Sequence, residues 1–229
     1  MEIAEELNKD ILEVWKNNSK KRGNFYPILY PDLRAGKVLF IGMNPSFSED
    51  KFEQIIKKNP AWEKLNSIEE FFKYPEADKK RIINFEKRAR ENHSYFTIFN
   101  KCDFEWEHID LFFYRNTSQE KFKNDIIELK FNKEGKIKKI NEFGELQLNL
   151  SISTISKLKP KIIVVINADA SRILREKMEI DNSKFKEEGF DRLKNNRTPI
   201  FFSGMLTGQH ALDKGSLERL FWQIKNCNL

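Results

Sequence analysis

Apolar and polar positions along the chain follow two rhythms. Ile3, Leu7, Ile11 and Val14/Trp15 recur at helical spacing, which predicts an amphipathic helix over Glu2–Asn18. Lys20-Lys21-Arg22 and Gly23 end it, and Tyr26-Pro27 and Tyr30-Pro31 mark an extended connection. Four short runs have strand character instead: Val38–Ile41, Trp106–Tyr114, Lys161–Ile166 and Pro199–Phe202. Val38–Ile41 and KIIVVI are apolar without alternation, the pattern of strands covered on both faces. Helical spacing predicts helices over Asn92–Cys102, Phe122–Leu129, Leu146–Leu158, Ala170–Met178 and Leu217–Asn226, the last with Ser216 as N-cap. Asn132–Gly144 reads as a loop or small hairpin, and Gly204–Gly215 as a Gly-rich loop.

Strands alternating with helices predict an α/β fold with a mainly parallel sheet of about four strands. Glu49–Glu91 is polar and aromatic, with helical stretches around Asp50–Lys58, Ser67–Phe72 and Asp78–Arg90 and breaks at Pro60 and Pro75. It reads as a helical insertion (49–91). The whole chain (1–229) is therefore expected to be a single domain with an N-terminal helical extension (1–35). No internal repeat or low-complexity tract is present.

Composition sharpens this picture. Among 229 residues there are 20 Phe, enough for both core and stacking surfaces, and the net charge is +6. Acidic residues are also plentiful, so the surface is mixed with a basic excess, which favours a polyanionic partner. Cys102 and Cys227 form no CxxC and no cluster with His93, His108 or His210, so no metal site is expected. Two lone cysteines point to a reducing, cytoplasmic compartment. Met1–Trp15 lacks an apolar signal core, and no run approaches the roughly 20 apolar residues of a spanning helix. No membrane partner and no cofactor are expected, and a monomer is the default.

The candidate chemistry lies in KVLFIGMNPSFS, Lys37–Ser48. The first strand ends at Gly42, and Asn44, Ser46 and Ser48 follow where open α/β sheets bind ligands. Pro45 biases Asn44 towards an extended conformation. By pattern alone this is also an ordinary Asn-Pro turn.

The features downstream give this turn a context. Gly42-Met43-Asn44-Pro45, NHSYF, Asp110-Leu111-Phe112-Phe113-Tyr114-Arg115 and Ile200–Leu220 occur in the order found in the uracil-DNA glycosylase superfamily. The chain from Gly36 to Leu229 resembles that superfamily, most closely its mismatch-specific branch. Ser46 replaces the second Gly of the branch's Gly-x-Asn-Pro-Gly motif. The resemblance implies a three-layer sandwich and a monofunctional glycosylase of base-excision DNA repair. Such an enzyme hydrolyses the N-glycosidic bond of a flipped-out damaged, mismatched or modified base. Asn44 maps onto the residue that positions the attacking water, a task of orientation because an amide is a poor base.

Asp110 departs from the Asn that some members carry. An ionised Asp only accepts, which suits a base presenting donors, such as a cytosine derivative, more than plain uracil. Asp110 equally well caps a loop or pairs with an Arg. The His-Pro-Ser of many members aligns with Met205-Leu206-Thr207, so the catalytic His is missing there. His210 either takes over anion stabilisation, touches a phosphate or faces solvent. Met43, Phe47, Asp110 and Tyr95 are the expected base-binding residues, although Phe47, Tyr95 and Phe96 could each be core. Ser46, Thr207, Gly208, Gln209, Leu212, Lys214 and Ser216 are the expected DNA contacts. Leu212 is either a wedge or a packing residue against the final helix. Two other functions stand beside the glycosylase. One is a catalytically weak relative that binds modified or single-stranded DNA. The other is a nucleotide-binding α/β enzyme, against which stands the lack of G-x-G-x-x-G and Walker A sequences.

Overall fold

The computed structural model describes residues 2–22, 27–46, 80, 83–84, 86–88, 90–91, 94–183, 185–208 and 211–227. The expected helices of the insertion at Asp50–Lys58 and Ser67–Phe72, with the breaks at Pro60 and Pro75, lie outside the described residues. Its last stretch is helical where it is described, at 80, 83–84, 86–88 and 90–91.

The chain opens with helices α1 (Ile3–Asn17) and α2 (Ser19–Arg22), followed by strand β1 (Val38–Gly42). Helix α3 (Ser94–Thr97) runs into a 3-10 turn, Ile98–Lys101, before β2 (Trp106–Asp110). Helix α4 (Gln119–Lys121) continues as a π turn over Phe122–Ile126, and strands β3 (Lys130–Phe131) and β4 (Ile137–Lys139) form a hairpin. Then come α5 (Glu142–Leu158), β5 (Ile162–Val165), α6 (Ala168–Lys177), β6 (Ile180–Asp181) and α7 (Phe185–Glu188). Strands β7 (Asp191–Leu193) and β8 (Pro199–Phe202) and helix α8 (Lys214–Lys225) complete the order.

The four predicted strands pair in parallel, in the order β2-β1-β5-β8. Two strands not expected, β7 and β6, extend that sheet antiparallel to six. They are two and three residues long and largely polar, too short to carry a period.

Each central strand feeds two cores, because successive side chains point to opposite faces. Leu39, Ile41, Ile109, Ile163, Val165 and Ile200 pack under α1, α5 and α6. Val38, Phe40, Ile162, Val164 and Phe201 pack under the 3-10 turn and α8, with Phe99, Leu220 and Ile224. The result is a three-layer α/β sandwich. Helix α1, expected as an extension, supplies Leu7, Ile11 and Trp15 to the first core. Trp15 is fully buried with its ring edge-on to Phe143, centroids 5.0 Å apart.

The starts of α8 and α5 lie three and four residues before the expected ones. Helix α8 begins at Lys214, and its N-cap is Asp213, which accepts from the Ser216 N–H at 3.0 Å; Ser216 lies inside the first turn. Helix α5 begins at Glu142, where Asn141 accepts from the Gly144 N–H. In both cases a carboxylate or amide oxygen out-competes the later candidate start.

Strand β2 is an edge of the sheet, and three of its outer backbone groups are met by side chains. Arg34 donates to the Trp106 carbonyl at 3.1 Å and Arg90 to the His108 carbonyl at 3.2 Å. The Asp110 N–H donates to the Tyr30 hydroxyl at 3.0 Å.

Candidate functional site

The chain leaves β1 to pair on one side with β2 and on the other with β5. In open α/β sheets the crevice at the carboxyl ends beside such a reversal is where ligands are held. Here the carboxyl ends bring together Gly42–Ser46, Asp110 and the segment after it, and Ile166-Asn167. The turn after β1 is fixed to the segment after β2. Gly42, Met43 and Pro45 carbonyls accept from the N–H groups of Leu111, Phe112 and Asn116 at 3.0–3.1 Å.

Asn44 is oriented by that segment. Its Nδ2 donates to the Asn116 carbonyl at 2.9 Å, with the Pro45 and Tyr114 carbonyls at 3.3 and 3.5 Å. Its Oδ1 is buried and has no hydrogen-bond partner among the described residues. Carbonyls surround one end of the amide, so the other end can only be the oxygen. The side chain therefore presents a fixed, unsatisfied acceptor at the carboxyl end of β1. Leaving such an acceptor without a donor costs about 1–3 kcal/mol.

Asp110 lies opposite Gly42 in the β1–β2 register and is 4 % exposed. Its carboxylate occupies the space that a side chain at position 42 would fill, and His108 Nε2 would lie 3.4 Å from the same Cβ. Gly42 is thus required for this close approach as well as for ending the strand. Burial raises the Asp110 carboxyl to about 7, with Arg90 pulling it down by a smaller amount. Near neutral pH a substantial fraction of Asp110 is protonated and can also donate.

His108 and Tyr95 stand beside it. The Tyr95 hydroxyl and His108 Nε2 are 3.0 Å apart, and the rings meet edge to face at 5.4 Å. Burial, with a smaller contribution from Arg90, lowers His108 to about 3, so its ring is neutral. Its Nδ1 is buried and unpartnered among the described residues. The Tyr95 hydroxyl is raised by burial and then by the Asp110 charge, and Tyr30 is raised by the same two causes. Glu107 is buried and paired with Arg34 at 2.6 Å and Arg90 at 3.5 Å. Arg115 forms a buried ion pair with Glu86.

Sequence reasoning missed His108, Tyr30 and Arg90. The signal for His108 was its two-residue offset from Asp110, which puts both on one face of β2. Nothing local links Tyr30 or Arg90 to Asp110. Asn167, at the end of β5, caps α6 through Oδ1 and donates to Gln119 through Nδ2, so both ends of its amide are engaged.

The remaining predicted residues divide. The Met43 side chain packs into the first core, so only its backbone can serve a ligand. Ser46 is exposed on the turn. Phe96 packs against the second core, stacked on Trp106 with centroids 6.3 Å apart. Leu212 also packs against that core; its Cδ2 would lie 3.2 Å from a Cβ on Gly204, and its N–H donates to the Met205 carbonyl. Leu212 is half-buried. Thr207 is half-buried, and Gly208 is exposed in the left-handed region at φ 95°. Lys214 is exposed, 3.8 Å from Glu218. The Ser216 hydroxyl, expected to contact DNA, donates to Asp213 at 2.6 Å. Phe47, Gln209 and His210 lie outside the described residues.

No group of three or more His, Cys, Asp or Glu among the described residues is arranged to hold a metal. No helix among them is long and apolar enough to cross a membrane. No family model, curated protein or solved structure matches the chain.

Proposed function

We propose that the chain is a DNA glycosylase of the uracil-DNA glycosylase kind. In this reading it hydrolyses the N-glycosidic bond of a base flipped out of DNA and leaves an abasic site. The observation that carries the reading is the Asn44 amide, held at its nitrogen by the Asn116 carbonyl and unsatisfied at its buried oxygen. Such an acceptor is suited to orient one water. The water oxygen forms the new bond to the sugar C1′, and the C1′–N bond breaks with its electron pair leaving on the base. The water's proton passes to solvent, because an amide does not take it.

Asp110 and Tyr95 form the base-reading side of the crevice. The ionised carboxylate accepts from an exocyclic amine, and the neutral acid also donates to a carbonyl. A cytosine-derived base is thus favoured on the alkaline side of Asp110's titration near 7.

The test is excision from oligonucleotides carrying uracil, hypoxanthine, mismatched thymine or modified cytosines, each paired and unpaired, with alkali cleavage as readout. Wild-type protein forms abasic sites on at least one of them. Asn44→Ala lowers the rate by about 10²–10³, the scale of losing one preorganised polar group. Absence of abasic sites on every substrate refutes the enzyme.

One observation favours a second reading, a catalytically weak relative that binds modified or single-stranded DNA. Where many superfamily members carry His-Pro-Ser, this chain has Met205-Leu206-Thr207, and Leu206 is buried in the second core. Salt-sensitive DNA binding without excision is the outcome that selects it.

A further inference from the structure

The opposite end of the sheet, where β5 and β8 begin, carries a feature that the carboxyl end does not use. Where the chain enters β5 and turns from β7 into β8, a concavity of about 390 Å³ opens. Lys159, Lys161, Arg192, Asn196, Arg197 and Thr198 line it, with Pro160 and Pro199 in its walls. Its lining contains four cations and no carboxylate. The four-residue β5 separates it from the crevice by about 13 Å or more, at ~3.3 Å per residue.

Its charges are unevenly spent. Glu188 accepts from Arg192 at 2.7 Å and Asp181 from Arg197 at 2.5 Å, while Arg192 also donates to the Arg197 carbonyl at 3.0 Å. These bonds hold the two guanidinium groups in place. Lys159 and Lys161 are exposed and form no ion pair among the described residues, although the Lys161 charge reaches Glu105. The Asn196 Oδ1 accepts from the Thr198 N–H, which turns the amide nitrogen away from that bond. Neither that nitrogen nor the Thr198 hydroxyl has a partner among the described residues. The uncommitted groups are thus mostly donors, two of them charged, between two walls that proline stiffens.

A donor set without a carboxylate fits an anion. We propose that this concavity binds the phosphate of a nucleotide unit, independently of the chemistry at Asn44. That unit belongs either to a nucleic-acid strand or to a free nucleotide, and the two sources are separable.

The experiment measures binding of two probes to the full chain: a fluorescent ten-residue thymidine oligonucleotide, and thymidine 5′-monophosphate by calorimetry. The variant is Lys159→Asn/Lys161→Gln. Asn suits position 159, whose φ of 43° lies in the left-handed region. Each lost phosphate contact on a single strand lowers the salt slope by about 0.7. The double variant should therefore bind the oligonucleotide with a slope lower by about 1.4, and about 25-fold more weakly at 0.1 M salt. Lys161→Gln alone should show half that slope change, which covers the case of a poorly folded double variant. Weakened oligonucleotide binding with no nucleotide binding identifies a strand. Nucleotide binding that the variant loses identifies a free ligand. If wild-type protein binds neither probe, or the variants bind both as wild type does, the proposal is overturned. Binding of the two probes is read without excision, so failure of the excision reading and failure of this site give different results.

Discussion

Replacing Asp110 by Asn isolates the electrostatic cost of the candidate site. The side chains are nearly isosteric, and the backbone N–H that Tyr30 accepts is retained. In the folded protein Asp110 titrates near 7, against an ordinary 3.8, because burial disfavours the charged form. Between these values the native state holds a proton that the unfolded state has released. The stability linked to Asp110 is therefore complete below pH 3.8 and lost as pH rises through 7. The shift corresponds to about 4 kcal/mol, at ~1.36 kcal/mol per pH unit. His108 acts in the opposite sense. It is neutral in the native state down to about 3, against an ordinary 6.5, so it costs nothing above 6.5 and erodes stability as pH falls towards 3. From pH 4 to 6.5 the two slopes nearly cancel in the wild-type protein.

Urea unfolding of wild type and Asp110→Asn at pH 4, 5.5 and 8 reads the difference. The remaining titrations are common to both proteins and drop out. The advantage of the Asn variant should grow by about 4 kcal/mol between pH 4 and pH 8, on the order of 10 °C in melting temperature for a domain of this size. The variant should also gain a stability that rises with pH from 4 to 6.5, the His108 slope unmasked. Two curves that stay parallel across this range would refute the assignment of a buried, raised carboxyl.

Other changes test the packing around this group. Gly42→Ala puts a Cβ into the Asp110 carboxylate and should cost about 1–3 kcal/mol by urea unfolding, with much of the loss recovered in Gly42→Ala/Asp110→Ala. Tyr30→Phe removes the acceptor of the Asp110 N–H; about 1–3 kcal/mol should be lost, and that amide should exchange faster by NMR. Asp213→Ala should lower stability by about 1 kcal/mol through the lost cap of α8, and Ser216→Ala by less, by thermal melts.

Much of the architecture was legible because it rests on local periods. Uninterrupted apolar runs at Val38–Ile41 and Ile162–Val165 announced strands covered on both faces, and their alternation with helices announced the parallel sheet. The edge strands β6 and β7 were not legible, because they exist only by pairing onto β8. The helical spacing at Ile3–Trp15 predicted α1 but not that it would enter the first core, which depends on where α5 lies.

For the candidate site, the sequence by itself determined that Gly42-Met43-Asn44-Pro45 ends a buried strand; it ran the second strand on to Tyr114, whereas β2 closes at Asp110. Tertiary structure alone decided what those residues are chemically. Register set Asp110 against Gly42, and Tyr30 and Arg90 arrived from positions 80 and 20 residues away to cover its strand. A carboxyl's titration depends on the burial and charges around it, and the direction of an amide on the carbonyls that surround it. Both are properties of neighbours in space, which no local pattern along the chain encodes.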